Sequence, residues 1–195
     1  NIAPDLVAKA QICQNAIDLF HMLGVAEPRV AVLSAVETVT PDIVSTLDAA
    51  SLTQMAQRGQ IVGALVDGPL AFDNAISAWA AAEKGIVSGV AGNADILLVP
   101  DLVSGNILAK TLEYLAGAVA AGVAVGLSVP VILTSRADAA PARLASLAIA
   151  AMMHHRKPRN IARIDVADVS MASAPQSEHD CCPLPPSASV SASEG

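Results

Sequence analysis

Aromatic side chains are almost missing from this chain: Phe20, Phe72, Trp79 and Tyr114 are the only four in 195 residues. Basic residues are scarce as well, 11 Lys and Arg against 18 Asp and Glu, for a net charge of −7. Without stacking platforms or a basic face, nucleic-acid binding is excluded as the main business of the molecule. Three cysteines, Cys13 and the adjacent Cys181 and Cys182, make no disulfide framework and point to a reducing, cytoplasmic setting. The chain opens Asn1-Ile2-Ala3-Pro4, with no Met and no basic-then-apolar secretory pattern, so it reads as the continuation of something longer.

What the chain has in quantity is apolar residues, 53% of the total with only 15% charged. That is the reverse of a disorder signature and ample for a core. The run from Leu115 to Leu133 has no formal charge and meets the length of a membrane span. Its Gly117, Gly122, Gly126 and Pro130, its Ala/Val bias and the lack of flanking basic residues favour two short strands of a buried parallel sheet instead.

Periodicity orders the rest. Apolar residues spaced by three and four predict a helix over 5–23 with Gly24 as its stop, followed by a strand at 29–33. A helix over 41–58, a strand at 61–66 ending in the turn Asp67-Gly68-Pro69, and a helix over 72–84 come next. A strand at 94–99, a helix over 105–115, strands at 119–125 and 129–133, and a final helix over 141–154 complete the alternation. Alternating strands and helices predict an α/β fold on a mostly parallel sheet with flanking helices. From Ser170 onward there are seven Ser, four Pro and no Lys or Arg, so 156–195 reads as a disordered tail behind a core spanning 1–155. His154, His155 and the basic run at 156–159 read as a solvated helix end. His179, Cys181 and Cys182 lack metal-site spacing.

Chemistry is expected where strands feed helices, on one edge of the sheet. Three junctions concentrate polar residues: DGPLAFDNA from Asp67, PDLVSGNILAK from Pro100, and TSRAD from Thr134. In the second, Ser104, Gly105 and Asn106 at a helix start offer an anion seat of free N–H groups. Lys110 is either a further point charge there or plain surface. In the third, Ser135 supplies a hydroxyl and Arg136 a planar fork of donors suited to phosphate. Asp138 is either a cap or a partner of Arg136 or Arg143, or a base beside a cation.

These same motifs carry a resemblance. LSAVETV at Leu33, the stretch from Thr46 to Ser77, AGNADILLVPDLVSGNILAKTLEYLAGA at Ala91 and VPVILTSRADAAPARLAS at Val129 are similar to the phosphate acetyl/butyryltransferase family. The butyryltransferase-like branch, also found fused behind enoyl-CoA hydratase domains, is the one most resembled. The resemblance implies a fold like isocitrate and isopropylmalate dehydrogenases, two lobes around a cleft, with the N-terminal part of the family domain missing. It implies exchange of a short acyl group between CoA and phosphate in a homodimer, with no metal, no nicotinamide and no membrane. Ser135 and Arg136 then match the family's phosphate-holding pair. Asp101, Gly105, Asn106 and Lys110 match its PDxxxGNxxxK loop, and Asp67 and Gly68 of the first junction are further substrate-binding candidates. Long-studied members carry an Asp six residues beyond the motif Arg; here that position is Ala142, and Asp138 becomes the candidate base. The alternative from another class is a non-catalytic fragment acting only in assembly. A dehydrogenase on the same architecture is disfavoured, because no dinucleotide glycine fingerprint is present.

Overall fold

The computed structural model describes residues 1–136 and 138–155; the expected Ser/Pro tail, the 156–159 basic run and the His179–Cys182 cluster lie outside the described residues. Helix α1 spans Leu6–Leu23. Asp5 caps it by accepting the Ala8 N–H at 2.8 Å, and Gly24 closes it in the left-handed region at φ 100°. Strand β1, Arg29–Leu33, falls where the sequence places it, and only Arg29 is exposed. Helix α2, Val44–Gln57, starts three residues later than expected, because Thr46 exchanges hydrogen bonds with the Thr40 backbone and holds the approach as a turn.

Strand β2, Leu65–Leu70, is displaced from the predicted 61–66, for a reason in the tertiary contacts. The Val62 backbone gives its N–H to Gln14 Oε1 at 3.0 Å and accepts Gln14 Nε2 at 3.1 Å, so α1 rather than a strand satisfies it. The expected Asp67-Gly68-Pro69 turn is instead ladder: Asp67 pairs with Ala31, and a Cβ at Gly68 would meet Val32 Cβ at 2.8 Å. The single helix expected over 72–84 is two, α3 (Phe72–Ile76) and α4 (Ala78–Glu83). Ser77 between them is extended and caps the second by accepting the Ala80 N–H.

Strand β3, Ile96–Leu98, completes a parallel sheet of order β2-β1-β3, and helix α5, Leu102–Tyr114, follows it. Val30 and Val32 face one core with Cys13, Ile17, Ala49, Leu52, Ile96 and Leu98. Ala31 and Leu33 face the other with Leu70, Ala75, Ala81 and Val90. Alternation along β1 therefore builds a three-layer body, helix, sheet, helix.

Strands β4 (Val123–Ala124) and β5 (Val131–Ile132) correct the expectation of a buried parallel continuation. They are antiparallel and form their own two-stranded sheet. Six residues separate them, far fewer than a parallel crossover needs. Helix α6, Ala140–His155, packs on this hairpin and on α1, with buried Ser146 accepting the Gly122 N–H at 3.0 Å. No helix among the described residues is long and apolar enough to cross a membrane.

Cys13 is wholly buried in the first core, and desolvation pushes its thiol up to about 12. Thiolate is the reactive species. Mass-mapped alkylation at pH 8 should leave Cys13 unlabelled in the native protein and label it fully in denaturant.

Candidate functional site

The parallel strands place the ends of β1, β2 and β3 on one edge, at Ser34, Ala71 and Val99. Asp67 and Gly68 lie within β2 rather than in the junction, and Asp67 Oδ1 accepts the Gly68 N–H at 2.9 Å. What stands beyond the β1 and β2 ends is a cluster the sequence reading missed. Glu37 Oε2 accepts Asn74 Nδ2 at 3.2 Å and Lys84 Nζ at 3.3 Å, and Lys84 also reaches Asp73 at 3.4 Å. Its own backbone N–H, then Lys84 and Asn74, hold the Glu37 carboxyl below its usual range.

At the β3 end, the anion seat expected around Ser104, Gly105 and Asn106 is already filled. Helix α5 begins at Leu102 rather than 105, with Asp101 as its cap. The Asp101 carboxylate accepts the Ser104 N–H at 2.8 Å and the Ser104 hydroxyl at 3.0 Å. Gly105 gives its N–H to the Asp101 carbonyl. The helix terminus that would attract an external anion is thus satisfied by the chain's own carboxylate. Those Ser104 bonds hold the Asp101 carboxyl low, with the charge of Lys9 adding.

Gly105 is half-buried because α5 runs close to the strand it follows: a Cβ there would meet Val99 Cγ2 at 2.8 Å. Asn106 is exposed, one turn before Lys110. Lys110 is half-buried and paired: Nζ donates to Glu113 Oε2 at 2.6 Å and stands 5.6 Å from the Tyr114 ring centroid. Glu113 is the main reason its pKa is raised, and Tyr114 and Asp138 contribute. Lys9 was also missed. Its ammonium, buried between α1 and α2, donates to Asp48 at 2.5 Å. The signal was present, since Lys9 lies one turn before Cys13 on the apolar stripe.

The sequence reading put all three junctions on one edge of one sheet; the TSRAD loop instead follows β5 of the separate two-stranded sheet, so strand direction does not bring it to the edge shared by the other two. Ser135 and Arg136 are exposed and Asp138 is half-buried. Asp138 Oδ2 accepts the Ser135 N–H at 2.7 Å, and the Asp138 N–H returns to the Ser135 carbonyl at 3.1 Å. Arg143 donates from Nε and Nη2 to the Asp138 carbonyl at 3.1 and 2.9 Å. Arg136 makes no hydrogen bond or ion pair among the described residues, so its donor fork is open to an anion. No group of three His, Cys, Asp or Glu able to hold a metal occurs among the described residues.

Residues 1–151 match the sequence profile of phosphate acetyl/butaryl transferase. The chain belongs to that family. It is 60% identical to a phosphate acetyltransferase of Rhizobium meliloti over 157 residues, 80% of this chain and 50% of the relative. It is 55% identical to a probable phosphate butyryltransferase of Bacillus subtilis over 150 residues, 77% of this chain and 50% of the relative. A crystal structure of a branched-chain phosphotransacylase from Enterococcus faecalis superposes with a TM-score of 0.73 at 37% identity, covering 80% of this chain and 56% of that one. The chain therefore spans about half the length of the curated relatives it matches. The α/β architecture with a parallel sheet expected from the sequence is the one observed, and its solved neighbours are phosphotransacylases.

Proposed function

We propose that this chain carries part of the site of a phosphate acyltransferase that moves a short acyl group between CoA and inorganic phosphate. One observation carries the reading: Arg136, exposed and unpaired among the described residues, offers an open donor fork in the SRAD turn of a chain whose residues 1–151 match the phosphate acetyl/butaryl transferase profile. The names of the relatives support short acyl groups as the cargo.

In the acyl-phosphate-forming direction a phosphate oxygen attacks the thioester carbonyl, the C–S bond breaks, and CoA leaves as thiolate. Arg136 and Ser135 hold the phosphate and steady the charge developing on the carbonyl oxygen. In reverse, the CoA thiol, with an ordinary pKa of ~8.5, must first lose its proton to become nucleophilic. Asn106 and Lys110 line the approach on α5, Asp101 and Gly105 set that helix against β3, and Asp67 and Gly68 set the neighbouring strand. No metal and no nicotinamide takes part. In this reading the fold is two-lobed like that of isocitrate and isopropylmalate dehydrogenases, 1–155 is its acyltransferase core, and the working form is a cytoplasmic homodimer.

A non-catalytic assembly module is the second reading, favoured by the exposed Leu102, Val103 and Ile107 on α5. Following CoA-dependent loss of acetyl or butyryl phosphate separates the two. Turnover above a catalyst-free blank is expected, and its absence in a folded sample leaves the assembly role.

A further inference from the structure

We infer that Asp138 and Arg143 are positioning residues, a clamp that sets the Ser135–Arg136 turn, and that Asp138 is not the base for the CoA thiol. This rests on the acyltransferase reading for its consequence, but the clamp stands on geometry alone. Every hydrogen bond of Asp138 among the described residues stays within its own turn or goes to Arg143. Its carboxylate closes the turn from one side, accepting the Ser135 N–H, while its own N–H closes it from the other through the Ser135 carbonyl. Reciprocal bonds of this kind fix the backbone on either side of Arg136, as a capping box fixes a helix start.

Arg143 supplies the second half. It sits in the first turn of α6 and reaches back with two N–H groups to the one Asp138 carbonyl oxygen. Its planar fork makes that contact with little loss of freedom per bond. The turn is thereby tied to a helix whose buried Ser146 also holds the β4–β5 hairpin through Gly122. An exposed turn without such ties would let the Arg136 guanidinium wander, and a displacement of an ångström costs about a hundredfold in a positioned reaction. A general base, by contrast, must offer its oxygen to the substrate proton. The Asp138 Oδ2 is engaged by the Ser135 N–H, so proton transfer would fall to Oδ1 alone, on a residue whose every other hydrogen bond among the described residues serves the turn.

The test compares Asp138→Asn, Asp138→Ala, Arg143→Lys and Arg143→Ala by amide hydrogen exchange at Ser135 and by kinetics in the thiol-consuming direction. Asp138→Asn keeps an oxygen acceptor for the Ser135 N–H. It should retain Ser135 protection and stay within about threefold of wild-type kcat, with the same pH profile. Asp138→Ala and Arg143→Ala should lose Ser135 protection about tenfold or more, lower kcat about tenfold or more and raise KM for acyl phosphate while leaving KM for CoA. Arg143→Lys should recover part of both. If Asp138→Asn instead abolishes turnover with Ser135 protection intact, Asp138 is the base and the inference fails. Unchanged Ser135 exchange in both alanine variants also overturns it. Should the wild type show no turnover, the acyltransferase reading falls, and the exchange comparison still decides the clamp.

Discussion

Arg136→Ala is expected to lower turnover at least a hundredfold while leaving the melting temperature within about a degree of wild type. The guanidinium is exposed and bonded to nothing among the described residues, so its loss removes no folded-state contact. Its worth lies in the transition state, where one placed donor to a developing oxyanion contributes ~3 kcal/mol. At 1.36 kcal/mol per decade that is about a hundredfold. Arg136→Lys keeps the charge and loses the two-pronged geometry, so an intermediate rate is expected. Wild-type rates in the alanine variant would remove Arg136 from the reaction.

The second large effect is on stability. Gly92 sits at φ 79°, and a Cβ there would lie 2.4 Å from Ala78 Cα and 2.6 Å from Ala78 N. Both faults act together: the left-handed backbone costs an ordinary residue about 1–2 kcal/mol, and overpacking a closed site adds about 1–3 kcal/mol. Gly92→Ala should therefore destabilise by about 3 kcal/mol, lowering the melting midpoint by roughly 6–12 °C. The Gly92 N–H also bonds the Asn74 carbonyl, so the Glu37–Asn74 cluster should loosen with it. Gly59→Ala is the control. Its φ of 76° carries the same backbone cost, but nothing lies within 4 Å of the added Cβ. Thermal melts showing equal losses in the two variants would refute the close-approach argument.

Local signals were legible where one short-range force decides. The limits of α1 and β1 could be read because Asp5, Gly24 and a β-branched run act within a few residues of themselves. They failed where a distant group supplies the hydrogen bonds. Gln14, 48 residues away, captures the Val62 backbone and shifts β2; the split of the expected helix into α3 and α4 at Ser77 is instead a local cap that the periodicity masked. At the site, the polar residue types of the α5 and TSRAD loops were visible as sequence. Their partners were not: Asp101 fills the helix terminus that looked open, and Glu113 takes the Lys110 ammonium.

Residue order alone was enough for the family and for the alternation of strands and helices, because each of these depends on side-chain type and spacing along the backbone; it also nominated Ser135 and Arg136 for the proposed site. Only the folded chain decided that β4 and β5 run antiparallel outside the main sheet, that Lys9 is buried against Asp48, and that Asp138 serves its own turn. The Lys9–Asp48 meeting spans 39 residues, while the hairpin and the Asp138 turn are local choices among competing partners. A donor or acceptor left without water goes to whichever partner the packing brings within reach, and no spacing rule names that partner in advance.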